Sequence, residues 1–82
     1  MPRLKRLSAR QILRIFHAFG FAVLSIRGSH AKLKREPDGQ PPQILTLPLH
    51  RDLAPGTIQA VYRQGLRFIP EADLRPHFYG SD

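Results

Sequence analysis

The chain has 82 residues, enough for one small domain and too few for a cofactor fold joined to a substrate domain. It has no cysteine, which excludes disulfide scaffolds, thiolate zinc sites and thiol catalysis. Thirteen Lys and Arg against six Asp and Glu give a net charge of +7, which suits an anionic partner. That charge is lopsided. Residues 1–35 hold nine of the basic residues and no acid, and residues 36–82 hold four basic and six acidic ones. No apolar run approaches the roughly 18–20 residues that span a bilayer. The basic start leads into further charge rather than an apolar signal core, so a cytoplasmic protein without a membrane segment is expected.

Residues 1–7 read as a basic lead-in. Ser8-Ala9-Arg10-Gln11 has the spacing of a capping box, with Leu7 and Ile12 placed as its hydrophobic staple. Ile12, Leu13, Ile15, Phe16 and Phe19 form a helical apolar stripe, and Gly20 is a natural stop. This predicts a helix over 8–19, with Arg10, Arg14 and His17 near one another on its more exposed side.

Residues 21–26 are apolar and β-branched and predict a strand. Arg27-Gly28-Ser29-His30 predicts a type II′ turn, with Gly at its first central position. Further strands are expected over 31–35 and 43–48, joined by a proline-rich loop over 36–42. Pro55 suits the first turn of a second helix with Ile58, Val61, Tyr62 and Leu66 inward, and Gly65 is expected to end it. Beyond it, Pro70 to Leu74 suggest a short helix that Pro76 would end early. The expected fold is α+β, in the order α-β-β-β-α, with a three-stranded antiparallel meander and two helices on one face. The expected domain is 1–82, with its core at about 8–66 and a C-terminal extension over 67–82.

A two-residue turn fixes the first hairpin. It sets Arg27 opposite His30, Ile26 opposite Ala31, Ser25 opposite Lys32 and Leu24 opposite Leu33. Side chains alternate along a strand, so Ala22, Leu24, Ile26, Ala31 and Leu33 are expected under the helices. Val23, Ser25, Arg27, His30, Lys32 and Lys34 are expected on the open face. In the second hairpin Arg35 faces Gln43, Leu33 faces Leu45 and Ala31 faces Leu47. Thr46 then opposes Lys32 and Pro48 opposes His30, which brings His50 to the His30 end of the sheet.

The open face thus sets Arg27, Lys32 and Lys34 around one histidine. Such cations hold the phosphates of a nucleic-acid strand. An imidazole takes up or releases a proton near neutrality. RNA supplies its own nucleophile in the 2′-hydroxyl, so cleavage there needs a base, an acid and neutralised phosphate, with no metal. On pattern alone, a turn-end histidine beside solvated lysines accounts for the same residues. The four histidines are not in metal-ligand spacing. His17 and His77 read as surface residues.

Several segments resemble one family. Phe19-Gly20-Phe21 followed by Arg27-Gly28-Ser29-His30 is similar to the opening of HicA toxins, the HicA/YcfA-like mRNA interferases. Leu47-Pro48-Leu49-His50 and Leu53-Ala54-Pro55-Gly56-Thr57-Ile58 resemble the family's Pro-x-His and Leu-x-Pro-Gly-Thr-Leu segments, and Gln64-Gly65-Leu66 its helix-ending Gln-Ala-Gly. The resemblance spans about residues 8–66. It implies a double-stranded-RNA-binding-like fold and a small endoribonuclease toxin of a type II toxin–antitoxin system, acting on messenger RNA and neutralised by a HicB-type antitoxin. The family's catalytic histidine falls on His30. RNA contacts are expected from Arg27, Gly28, Ser29, Lys32 and Lys34, and His50 is expected as a second acid or base or as a phosphate contact. No metal or other cofactor is expected. Leu33 replaces a frequent family aromatic, and residues 67–82 have no counterpart. An RNA-binding module that does not cut, and a protein-interaction domain with a basic face, stand as the alternative functions.

Overall fold

The computed structural model describes residues 2–81. Its elements are β1 (Pro2–Leu4), α1 (Ala9–Ala18), β2 (Ala22–Arg27), β3 (His30–Arg35), β4 (Gln43–Pro48), α2 (Pro55–Leu66), α3 (Glu71–Phe78) and β5 (Tyr79–Ser81). Strands β2-β3-β4 form an antiparallel sheet in that order, and β1 pairs with β5 in a second, two-stranded sheet. The fold is α+β, and residues 9–66 run in the expected α-β-β-β-α order.

Both ends of α1 follow from sequence. The Gln11 amide donates to Ser8 Oγ at 3.2 Å, and the Ser8 amide donates to Gln11 Oε1 at 2.8 Å, which completes the capping box. Leu7 and Ile12 are both buried, as a staple requires. At the other end the Phe21 amide donates to the Phe16 carbonyl and the Gly20 amide to the His17 carbonyl. That pair of bonds is a Schellman motif, and it needs the left-handed φ of +95° that Gly20 adopts. Ile12 and Phe16 then point inward onto Ala31 and Leu33 of β3, Leu45 and Leu47 of β4, and Ile58 and Val61 of α2, in one buried cluster.

Four expectations are corrected. Leu24 does not oppose Leu33: a bulge between Val23 and Ser25 pairs Val23 with Leu33 and Ala22 with Lys34. Ala22, Leu24 and Ile26 are not covered by the helices, because β2 is an edge strand and all six of its residues are exposed. Gly65 does not end α2. It lies buried inside the helix, where α1 and α3 approach it, and the helix runs on to Leu66. Pro76 does not stop α3, which continues to Phe78 and buries Leu74 and Phe78. Proline removes one helical hydrogen bond, but packing of those two residues on Phe16 and Tyr62 offsets its cost.

The basic lead-in is also structured. Arg3 pairs with Gly80 and Leu4 with Tyr79 across β1 and β5. The Lys5 amide donates to the Phe78 carbonyl at 2.8 Å, and Lys5 Nζ donates to the Pro76 carbonyl at 3.0 Å. A cation at the carbonyl end of α3 also complements its dipole.

Candidate nucleic-acid interface

The candidate site is the β2–β3 hairpin and the chain that crosses its tip. Gly28 has φ +56°, and no described non-glycine residue has positive φ, so Ser29 does not. This is the signature of the expected type II′ turn. Open space surrounds Gly28, so its role is the backbone angle rather than a close contact. The turn sets Arg27 opposite His30, and Lys32 opposite Ser25 on one side and Thr46 on the other. His30, Lys32 and Lys34 alternate along β3 on the face away from buried Ala31 and Leu33. Successive members of that row stand roughly 6–7 Å apart along the strand.

The surroundings of these cations differ. Arg27, His30 and Lys32 are exposed, and none makes a side-chain hydrogen bond or ion pair among the described residues. Lys34 is half-buried, and its Nζ lies 2.7 Å from Glu36 Oε1. Arg35, next in line, serves the fold. It donates to Gln43 Oε1 at 2.8 Å and to the carbonyls of Phe19 and Phe68 at 2.9 and 3.0 Å. Its guanidinium also lies over the Phe21 ring, 4.8 Å from the centroid. This role of Arg35 is not expected from its place at the end of a basic strand. The only sequence signal is its register opposite a side-chain acceptor, Gln43.

His50 is drawn to the same end of the sheet. Pro48 pairs with His30, and the Leu49 amide donates to the Ser29 carbonyl at 2.6 Å. The His50 carbonyl accepts from the Ala9 amide at 3.3 Å. The connector is thereby pinned between the hairpin turn and the start of α1, with His50 exposed. The two imidazoles share no hydrogen bond. His77 packs edge-on against Phe19 with ring centroids 5.3 Å apart, and His17 lines a groove between α1 and β2. Among the described residues, no group of three or more His, Asp or Glu side chains is placed to hold a metal. No helix among the described residues is long and apolar enough to cross a membrane.

Fold and site together define a small basic α+β protein that displays an unpaired imidazole and cations on a sheet hairpin, a surface suited to a polyanion. Residues 9–66 match the family model described as the HicA toxin of bacterial toxin–antitoxin systems, and the chain belongs to that family. A search of curated proteins found no match. The family gives the protein the role of toxin in a toxin–antitoxin system and implies an antitoxin partner.

Proposed function

We propose that the protein is an endoribonuclease that cleaves messenger RNA in the cytoplasm, with His30 in proton transfer, and that a HicB-type antitoxin restrains it. The observation that carries this reading is the exposed His30 beside the turn, with Arg27 opposite it and Lys32 two residues along. An imidazole there meets solvent and substrate rather than core.

The reaction class is transesterification followed by hydrolysis. A base removes the 2′-hydroxyl proton, the 2′-oxygen bonds to the adjacent phosphorus, and the bond to the 5′-oxygen breaks. An acid protonates that leaving oxygen, and water later opens the 2′,3′-cyclic phosphate. His30 takes one proton-transfer role, and His50, pinned to the same end of the sheet, takes the other or holds the phosphate. Arg27 and Lys32, with Lys34, neutralise the phosphates, and the backbone of Gly28 and Ser29 lets the strand approach the turn. The nucleophile of strand scission comes from the RNA, so that step needs no metal to activate water. An acidic antitoxin laid over Arg27, His30, Lys32 and Lys34 would exclude RNA, and its charge would steer the encounter.

One observation favours a second reading. A general base is usually oriented by a third group, and the His30 side chain has no hydrogen-bond partner among the described residues. A module that grips RNA without cutting fits that feature. Purified protein with a defined RNA and EDTA separates the two readings. The nuclease reading expects cleavage that falls about 10²–10⁴-fold in His30→Ala while far-UV circular dichroism is unchanged. Salt-sensitive binding without cleavage, or full activity in a folded His30→Ala protein, would overturn it.

A further inference from the structure

The two edges of the main sheet differ. At the β4 edge, Gln64 of α2 covers Thr46: its Nε2 donates to the Thr46 carbonyl at 2.9 Å, and its Oε1 accepts from the Thr46 amide at 3.0 Å. An incoming strand would find those groups already engaged. The β2 edge has no such cover among the described residues. Val23, Leu24 and Ile26 are 50, 54 and 58 % exposed, and the fourth exposed large apolar residue among those described is Ile44. Single exposed aliphatics are ordinary, but three on one edge strand mark an interaction surface.

A groove runs beside this strand, between β2 and α1. Leu13, Phe21, Val23 and Leu33 form its apolar floor, and Arg10, Arg14 and His17 stand over it. Arg10 and Arg14 have no ion-pair partner among the described residues, and residues 1–35 contain no carboxylate.

We infer that the groove and the β2 edge anchor the antitoxin through an extended segment that carries aliphatic and acidic side chains. This rests on the antitoxin reading above and adds where, and by what chemistry, the partner holds on. The partner's aliphatic groups cover Val23, Leu24 and Ile26, and its carboxylates meet Arg10 and Arg14. Ile26 and Ala31 form the pair next to the turn-closing Arg27 and His30. Alternation of hydrogen-bonded and non-hydrogen-bonded pairs therefore directs the Ile26 amide and carbonyl away from β3. Backbone pairing is thus open beside the turn, and the bulge near Leu24 limits it further along. A second copy of this chain is a poor occupant, since it would set one cationic rim against another. RNA is a poor occupant because aliphatic side chains offer no stacking face to bases. Arg27 ends the same strand, so a partner anchored here continues directly onto the His30 face.

The test uses a neutral double variant, Leu24→Ser with Ile26→Ser, and a rim variant, Arg14→Gln. Both positions of the double variant are exposed, so it is expected to fold, which a thermal melt verifies. Calorimetric titration with the cognate antitoxin is expected to show affinity weakened at least ~30-fold in the double variant. Arg14→Gln should weaken binding at low salt and match wild type at high salt. Affinity for a defined RNA should stay within about twofold of wild type in the double variant. Unchanged antitoxin affinity in the folded double variant would overturn the inference. So would lost RNA affinity with intact antitoxin binding, or a wild-type dimer by sedimentation that the double variant dissolves while still binding antitoxin normally. The titration contains no RNA, so a protein that binds antitoxin at this edge but cuts nothing would sink the nuclease reading alone.

Discussion

Gly65 of α2 and Leu74 of α3 approach so closely that a Cβ on residue 65 would lie 2.7 Å from Leu74 Cδ2, and also 2.9 Å from Phe16 Cε1. Both neighbours are fully buried. Ala is a better helix former than Gly by about 1 kcal/mol. Overpacking a filled core costs about 1–3 kcal/mol. The clash involves two elements at once, so it wins. Gly65→Ala is expected to destabilise the fold by about 1–2 kcal/mol, read as a lower urea midpoint. A midpoint at or above wild type would show that α3 moves away freely.

Arg35 ties three segments together: the end of α1 through Phe19, the α2–α3 connection through Phe68, and β4 through Gln43. Lysine keeps the charge but presents one compact ammonium in place of a planar fork. Arg35→Lys is expected to lose about 2–3 kcal/mol by chemical denaturation, because two carbonyls lose a charged donor. Antitoxin and RNA affinities measured below the unfolding transition should stay near wild type, since Arg35 serves the fold.

These two residues show where the sequence is legible and where it is not. The capping box at Ser8 and Gln11, the stop at Gly20 and the turn at Gly28 are local chemistry, and all three form as read. The β3–β4 register also follows from pattern, since Leu33, Leu45, Ala31 and Leu47 must share a face. Gly65 misleads because a helix-ending glycine and a close-approach glycine look alike until the partner helix is known. The β2 face misleads because alternation assigns side chains to a face without saying whether a helix reaches that edge. A bulge then shifts the alternation, and Val23 takes the position expected for Leu24. Strands β1 and β5 have three residues each and carry no period. They form because residues 2–4 and 79–81 meet. At the candidate site, the pairing of His30 with Arg27 and Pro48 was legible, but the Lys34–Glu36 ion pair was not, since it crosses from a strand into a loop.

Tyr62 provides a test of the α2–α3 contact. Its hydroxyl donates to Glu71 Oε2 at 3.2 Å, and burial, opposed by the Arg75 guanidinium and supported by that carboxylate, raises the phenol above its ordinary value. The unfolded chain therefore ionises Tyr62 first, at a pH of about 10. The folded state holds the extra proton above that point, so stability falls as pH rises further. Tyr62→Phe is expected to flatten this alkaline decline and to cost about 0.5–1.5 kcal/mol at neutral pH through the lost hydrogen bond. Urea titrations from pH 7 to 11 measure both effects, and an equal alkaline slope in the two proteins would refute the assignment.

If His50 is the second proton-transfer group, the pH–rate profile of cleavage should be bell-shaped and His50→Ala should lose one limb. If it holds phosphate instead, both limbs survive and KM rises. A variant with wild-type kcat, KM and pH profile would remove His50 from the site.

Lys32 and Lys34 occupy one face of β3 but are expected to contribute unequally to RNA binding. Lys32 is exposed and unpaired, whereas Lys34 shares its charge with Glu36 at 2.7 Å. A phosphate that engages Lys34 must compete with that carboxylate, so fewer counterions are released there. Each full phosphate contact contributes about 0.7 to the log–log salt slope for a single strand. Lys32→Ala should lower the slope by about that amount, and Lys34→Ala by clearly less. Glu36→Gln frees Lys34 and should raise RNA affinity at low salt, an effect that vanishes when Lys34→Ala is added. Fluorescence anisotropy with a labelled single-stranded RNA across a salt series measures wild type and the four variants. Equal slopes for wild type and Lys32→Ala would show that this face of β3 does not touch the RNA backbone.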